Sequence, residues 1–130
     1  MTTQVSDALT GASLSDAERR VVERLVDLLR EELGSNLHAI WLFGSRARGE
    51  TPHAESDIDL MVIADGGNAR HGMRAYELTN EAADAEGQSP VWYSVTIRDP
   101  QWLRGRREIR SFFIAEVDRD KLILHGSALQ

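Results

Sequence analysis

Two short segments decide the fold of this chain: residues 41–49 read WLFGSRARG, and residues 56–60 read SDIDL. The first segment is apolar up to a Gly-Ser pair and then turns basic. Gly44 lets the backbone come close to a ligand, and a turn after it points free amide groups outward, which suits a polyphosphate. The Ser45 hydroxyl adds a donor. The two arginines of the segment add positive charge, although at most one of them is expected to face a ligand.

The second segment places two aspartates, Asp57 and Asp59, two positions apart on a predicted strand. Both carboxylates therefore project from one face, where they repel each other unless a cation lies between them. Hard oxygen ligands suit Mg²⁺ or Mn²⁺, which take one or two protein carboxylates together with substrate phosphate oxygens. An Asp-x-Asp pair alone is more often solvated, and a lone Gly-Ser is usually a turn. Their conjunction predicts a site for a metal and a triphosphate.

Composition limits the other possibilities. The chain has 130 residues, enough for one domain, and its 42% apolar and 28% charged content is ordinary for a globular protein. It has no cysteine, which excludes disulfides and thiolate metal ligands. No apolar run approaches a membrane span and no secretion signal is visible, so a cytoplasmic protein is expected. The net charge of −6 argues against broad nucleic-acid binding.

One segment runs against that acidic balance. Between Arg98 and Arg110 there are five arginines and two acids, a local charge of +3. The segment is either a solvated helix face or a surface for nucleotide phosphates, RNA or an acidic partner.

The pattern along the chain predicts a small mixed β-sheet covered by helices, an α/β (α+β) domain over residues 14–127. Residues 1–13 are small and polar and are expected to form a disordered leader. Ser15 and Glu18 form a predicted capping box, and Gly34 ends the helix that follows. The predicted strands are 37–43, 57–64, 91–97 and 121–125, and the further helices are 70–86, 99–103 and 107–117, the last with Ile109, Phe112, Phe113 and Val117 at core spacing.

Residues 41–63 resemble the signature of the minimal nucleotidyltransferases of the DNA polymerase β superfamily, Gly-Ser-x-Ala-Arg-Gly followed by Ser-Asp-x-Asp-Leu. The resemblance implies a nucleotidyltransferase fold in which Asp57 and Asp59 are the catalytic residues and bind Mg²⁺. It also implies a nucleotide-binding set of Gly44, Ser45, Arg48 and Ser56.

The same resemblance implies an activity. The family transfers a nucleoside monophosphate from an NTP to a hydroxyl and releases pyrophosphate, and ATP is the expected substrate here. Many bacterial members are antitoxins that modify a partner HEPN-domain toxin. The leading expectation is therefore a Mg²⁺-dependent nucleotidyltransferase acting on a macromolecular acceptor, most plausibly a partner protein.

The chain departs from the family pattern in one respect. Active members carry a third carboxylate on the next core strand, and our sequence alignment puts Ser89 at that position. A serine is neither a base nor a good metal ligand. Asp84 or Glu86 could reach across, but both are expected to be helix-surface charges. The alternative function is thus a catalytically impaired module that senses nucleotide or binds a partner.

Overall fold

The structure is a computed structural model that describes residues 2–53 and 56–130. It contains one four-stranded sheet. The strands are β1 (Leu37–Phe43), β2 (Ile58–Ala64), β3 (Tyr93–Arg98) and β4 (Leu122–Gly126). The helices are α1 (Thr2–Ala8), α2 (Asp16–Leu33), α3 (Gly72–Ala85), α4 (Pro100–Glu108) and α5 (Phe112–Asp120), with single 3₁₀ turns at Gly34–Asn36, Ala69–His71 and Pro90–Trp92.

The sheet is mixed, as the sequence predicts, with strand order β3-β2-β1-β4. Strand β1 is antiparallel to both β2 and β4, and β2 is parallel to β3. The carboxyl end of β1 therefore lies at the same edge of the sheet as the amino ends of β2 and β3. That edge brings the two signature segments together.

Alternation along β2 separates the two layers of the core. Ile58, Leu60 and Val62 pack in one cluster with residues of α1, α2 and α3. Met61 and Ile63 belong to a second cluster with residues of α4 and α5. Asp59 lies two positions before Met61 on β2. Its side chain therefore lies on the same face of the sheet as Met61 and the second cluster.

Helix α2 begins and ends as predicted. The Ser15 side chain accepts a hydrogen bond from the Glu18 amide, and the Glu18 carboxylate accepts one from the Ser15 amide. Gly34 ends the helix with a φ of 53°, a conformation that favours glycine. The amphipathic face packs into the first core cluster.

The expected disordered leader is instead partly helical. Helix α1 lies beside β4, and Val5 and Leu9 are buried in the first core cluster. Two apolar residues four positions apart lie on one face of a helix, which is enough to dock a single turn against a core. The small polar residues around them obscured this signal in the sequence.

The predicted helix 107–117 is also corrected. The helix is interrupted at Arg110, whose φ is 54°. Ser111 then caps a new helix, α5, by accepting a hydrogen bond from the Ile114 amide. Ile109 and Phe112 are therefore 68% and 78% exposed rather than buried. Within residues 2–53 and 56–130, no helix is both long enough and apolar enough to cross a membrane.

Candidate functional site

Three strands meet where the signature segments lie. Phe43, the last residue of β1, pairs with Asp59 of β2, and Asp59 pairs with Ser94 of β3. Because paired positions point to the same side of a sheet, the Asp59 and Ser94 side chains share a face. The turn that follows β1 begins directly beside this carboxylate.

Gly44 fits closely against Asp59. Its φ is 84°, and a Cβ atom added there would lie 2.9 Å from the Asp59 Oδ2 atom. A one-turn segment follows, in which the Arg48 amide donates to the Gly44 carbonyl and the Glu50 amide to the Ser45 carbonyl, both at 3.1 Å. The first turn of such a segment leaves amide groups free to meet an anion.

The two aspartates differ in environment. Asp57 is exposed, whereas Asp59 is half-buried. Burial, and then the negative charge of Asp57, raises the pKa of the Asp59 carboxyl above its ordinary value. Neither carboxylate forms an ion pair within the described part of the chain. The pair therefore offers hard oxygen donors and uncompensated charge, which is the chemistry that suits Mg²⁺.

The donor set provided by the protein is small. No group of three or more His, Cys, Asp or Glu residues placed to hold a metal occurs among residues 2–53 and 56–130. The two aspartates thus fit an ion whose coordination is completed by water and substrate oxygens, as is usual for Mg²⁺.

Ser56 shapes the loop ahead of the aspartates. It is buried, its hydroxyl accepts a 2.9 Å hydrogen bond from the His53 amide, and its own amide donates to the His53 carbonyl at 2.9 Å. These bonds tie Ser56 to His53 just before Asp57. Nucleotide contact by Ser56 stays a prediction.

Both arginines of the first segment have carboxylate partners that the sequence did not indicate. Arg48 donates to Glu50 at 2.7 Å and to Asp120 at 2.6 Å, and these two carboxylates raise its pKa further above the ordinary value. Arg46 is buried and pairs with Glu18. A nucleotide-binding role for Arg48 stays a prediction, and it would have to compete with the bonds to Asp120.

The sequence alignment put Ser89 at the position of the third carboxylate, whereas the residue that pairs with Asp59 on β3 is Ser94. Ser89 instead caps the 3₁₀ turn Pro90–Trp92, accepting from the Val91 amide. That turn delays the start of the strand, which explains the error. Ser94 is again a serine, so the expectation that no acid stands at this position is unchanged. Glu86 cannot substitute, because Arg20 and Arg24 hold its carboxylate at 2.7 and 2.6 Å.

Comparison with known families identifies the family of this domain. The family described as "Polymerase beta, Nucleotidyltransferase" matches residues 23–97, more than half of the chain. The chain belongs to this family. No curated protein matches it significantly.

Solved structures of toxin–antitoxin pairs are similar to this chain. A crystal structure of the toxin–antitoxin MntA–HpeT in a mutant form is 25% identical to it, with a TM-score of 0.50, covering 82% of this chain and 72% of that chain. A crystal structure described as the toxin–antitoxin with AMP-PNP is 26% identical, with a TM-score of 0.49, covering 79% of this chain and 72% of that chain.

The arginine-rich segment, residues 98–110, is only partly a solvated face. Arg98 and Arg106 each lie 5.5 Å from the centre of the Trp102 ring, as cation–π pairs. Arg107 pairs with Asp118 at 2.8 Å. Three of the five arginines thus have intramolecular roles.

Proposed function

We propose that this protein transfers a nucleoside monophosphate from an NTP, with ATP the expected donor, to a hydroxyl group of a partner protein and releases pyrophosphate. The observation that carries the proposal is the contact between Gly44 and Asp59. At Gly44, the turn formed by residues 44–49, which we call the phosphate-type turn, lies against the Asp59 carboxylate. Asp57 and Asp59 have no cationic partner among the described residues. Membership of the nucleotidyltransferase family supports the reaction type.

Each residue of the site has a role in this proposal. The backbone after Gly44, together with the Ser45 hydroxyl, receives the triphosphate through hydrogen bonds. Asp57 and Asp59 would hold Mg²⁺. When bound, Mg²⁺ neutralises phosphate charge and favours both the attack of the acceptor and the departure of pyrophosphate. The phosphorus–oxygen bond to the leaving pyrophosphate breaks as a bond to the acceptor oxygen forms, and the proton of the acceptor hydroxyl is released to solvent water.

A protein acceptor fits the openness of the site. Asp57 and Ser94 are both exposed at the sheet edge, so a bulky partner can approach. The toxin–antitoxin similarity supports the same direction, because the related chain in that structure belongs to a pair of proteins. We therefore propose that the partner is a HEPN-type toxin, for which this protein is the antitoxin.

Calorimetric titration of ATP and then GTP, with and without Mg²⁺, tests the nucleotide site. Asp57→Asn and Asp59→Asn should each abolish the Mg²⁺-dependent part of binding. Asp27→Asn is the matched control, because Asp27 is an exposed aspartate of α2 away from the sheet edge. Binding that is equally strong in all four proteins, with or without Mg²⁺, would refute the proposed metal site.

Transfer is tested separately with α-³²P-labelled NTP and the protein encoded beside this one. Label on the neighbour that disappears in the Asp57→Asn protein supports the reaction. Absence of label from every NTP, in a protein that binds Mg²⁺ and ATP, would leave the binding site intact and rule out transfer to that acceptor.

A second candidate function is supported by one specific observation, namely that a serine, Ser94, and not an acid, pairs with Asp59 on β3. In this case the protein binds nucleotide but transfers it slowly or not at all. Ser94→Asp should then place a third carboxylate on the same face as Asp59 and raise transfer by about 100-fold or more, the range typical of one general base. Ser89→Asp is the control, since Ser89 caps a 3₁₀ turn outside the strand. Equal rates in both variants would refute the assignment to Ser94.

The third possibility raised by the sequence, recognition of RNA by the 98–110 segment, is not proposed. Arg107 is committed to Asp118, and Arg98 and Arg106 to the Trp102 ring. The strong phosphate contacts that RNA binding needs would require these arginines to be released.

A further inference from the structure

The side chain of Arg46, which lies in the phosphate-type turn, is hydrogen-bonded to residues outside that turn. Arg46 is only 6% exposed. Its Nη1 atom donates to Glu18 Oε1 at 2.9 Å and to the Ser13 carbonyl at 2.8 Å, and Nη2 donates to Glu18 Oε2 at 3.3 Å. The side chain next to Ser45 is therefore tied to the first turn of α2. We call this arrangement the Glu18–Arg46 clamp.

Glu18 performs two tasks at once in the clamp. Its Oε1 atom also accepts the Ser15 amide at 2.9 Å, as part of the capping box that begins α2. Burial acts to raise the pKa of Glu18, but the hydrogen bonds from Arg46 and Ser15 outweigh it and hold the pKa below its ordinary value. Glu18 is therefore ionised at neutral pH and keeps the guanidinium in place.

Residues just before α2 complete the contact with the turn. The Ser13 amide donates to the Arg46 carbonyl at 2.8 Å, so Ser13 is bonded to both the backbone and the side chain of Arg46. At the other end of the turn, a Cβ atom on Gly49 would lie 2.8 Å from the Gly11 carbonyl oxygen. The backbone of residues 11–13 thus touches the turn at two places.

We propose that Glu18 and Arg46 are positioning residues for the nucleotide: the clamp fixes the backbone of residues 44–49, and with it the amide groups that receive the phosphates. This inference rests on the proposed function. A buried ion pair is a poor source of net stability compared with an apolar pair of similar size, but it fixes orientation through several directed hydrogen bonds. Orientation of free amide groups is what an anion-binding turn requires.

The experiment compares Glu18→Gln with Glu32→Gln. Glu32 is a matched control, because it also lies on α2 and also pairs with an arginine on another element, Arg74, at 2.8 and 3.0 Å, but away from the turn. Glu18→Gln should weaken binding of ATP with Mg²⁺ roughly tenfold, within the usual range of coupling between sites. Glu32→Gln should leave that affinity unchanged.

Two further measurements separate positioning from general stability. Amide hydrogen exchange at residues 44–50 should accelerate in the Glu18→Gln protein and not in the Glu32→Gln protein, whereas exchange in β4 should be the same in both. The Glu18→Gln/Arg46→Met double variant should bind no more weakly than Arg46→Met alone, because Glu18 acts through Arg46.

The outcomes distinguish this inference from the proposed function. If the unaltered protein does not bind ATP with Mg²⁺, the proposed function fails, and hydrogen exchange still decides whether the clamp positions the turn. Unchanged exchange at residues 44–50 in the Glu18→Gln protein overturns the inference. Additive losses of affinity in the double variant also overturn it, since Glu18 would then act independently of Arg46.

Discussion

Replacing Gly44 by alanine tests the geometry of the site more sharply than any change to a charged group. A residue with a side chain at φ 84° costs about 1–2 kcal/mol of backbone strain. In addition, the new methyl group would lie 2.9 Å from the Asp59 Oδ2 atom. The carboxylate can rotate away from it, at a cost of about 1 kcal/mol for an off-rotamer side chain. We expect Gly44→Ala to lower the free energy of unfolding by about 2–3 kcal/mol.

Gly66 provides the matched control. Its φ is 75°, but a Cβ atom added there meets nothing within 4 Å. Gly66→Ala should therefore show the backbone strain alone, about 1–2 kcal/mol. The difference between the two variants, about 1 kcal/mol, isolates the contact with Asp59 and corresponds to a shift of about 4 °C in Tm for a domain of this size.

The effect on nucleotide affinity should be at least as large as the difference in stability. Because the Asp59 carboxylate is displaced in the Gly44→Ala protein, its affinity for ATP with Mg²⁺ should fall at least about tenfold, while Gly66→Ala should bind like the unaltered protein. Urea unfolding and calorimetric titration measure the two effects. If Gly44→Ala and Gly66→Ala have the same Tm and the same affinity, the close approach of Gly44 to Asp59 has no role and the reasoning is refuted.

Three other predictions follow from the packing and charges. Gly126→Ala should be the most damaging glycine change, because its Cβ atom would lie 2.0 Å from the backbone carbonyl oxygen of His38 across the β1–β4 pair. The free energy of unfolding should fall by on the order of 4 kcal/mol, or the protein should fail to fold. Circular dichroism and soluble yield measure this effect. Trp41→Ala should cost about 3–5 kcal/mol in urea unfolding, whereas Phe112→Ala should cost less than about 0.5 kcal/mol, since Trp41 is fully buried and Phe112 is 78% exposed. The folded-state pKa of Glu18 lies below its unfolded-state pKa, so ionised Glu18 stabilises the folded protein above the unfolded-state pKa. This stabilisation is lost as the pH falls through the folded-state pKa. The free energy of unfolding of the Glu18→Gln protein should therefore fall less steeply at acid pH than that of the unaltered protein.

The parts of the site that could be predicted from the sequence are those formed by residues that are contiguous in the chain. A strand that ends in Gly44 and a second strand that carries the two aspartates are local patterns, and antiparallel pairing of neighbouring strands brings them together at one edge. The alternation of β2 between two core layers could be predicted for the same reason. The structure confirms these elements at nearly the predicted positions.

What the sequence did not indicate depends on separations that no local pattern encodes. The partner of Arg46 lies 28 positions earlier, at Glu18, where the capping box already explained the carboxylate. The register between β2 and β3 depends on the crossover through α3 and on the 3₁₀ turn before β3, so counting along the chain placed Ser89 where Ser94 belongs. Long-range pairing therefore decides which side chain completes the site.

The geometry divides the proposed chemistry between two parts of the fold that can vary independently. Gly44, Ser45 and the two aspartates lie on β1, β2 and their adjoining turns, an antiparallel pair that does not include β3. The position that would complete catalysis comes from β3, through a separate parallel crossover. A substitution at Ser94 can therefore alter transfer while leaving the groups proposed to bind nucleotide in place. Binding without transfer is thus a coherent state of this site, and a nucleotidyltransferase that binds ATP with Mg²⁺ but transfers rapidly only as the Ser94→Asp variant would show that β3 alone separates the two functions.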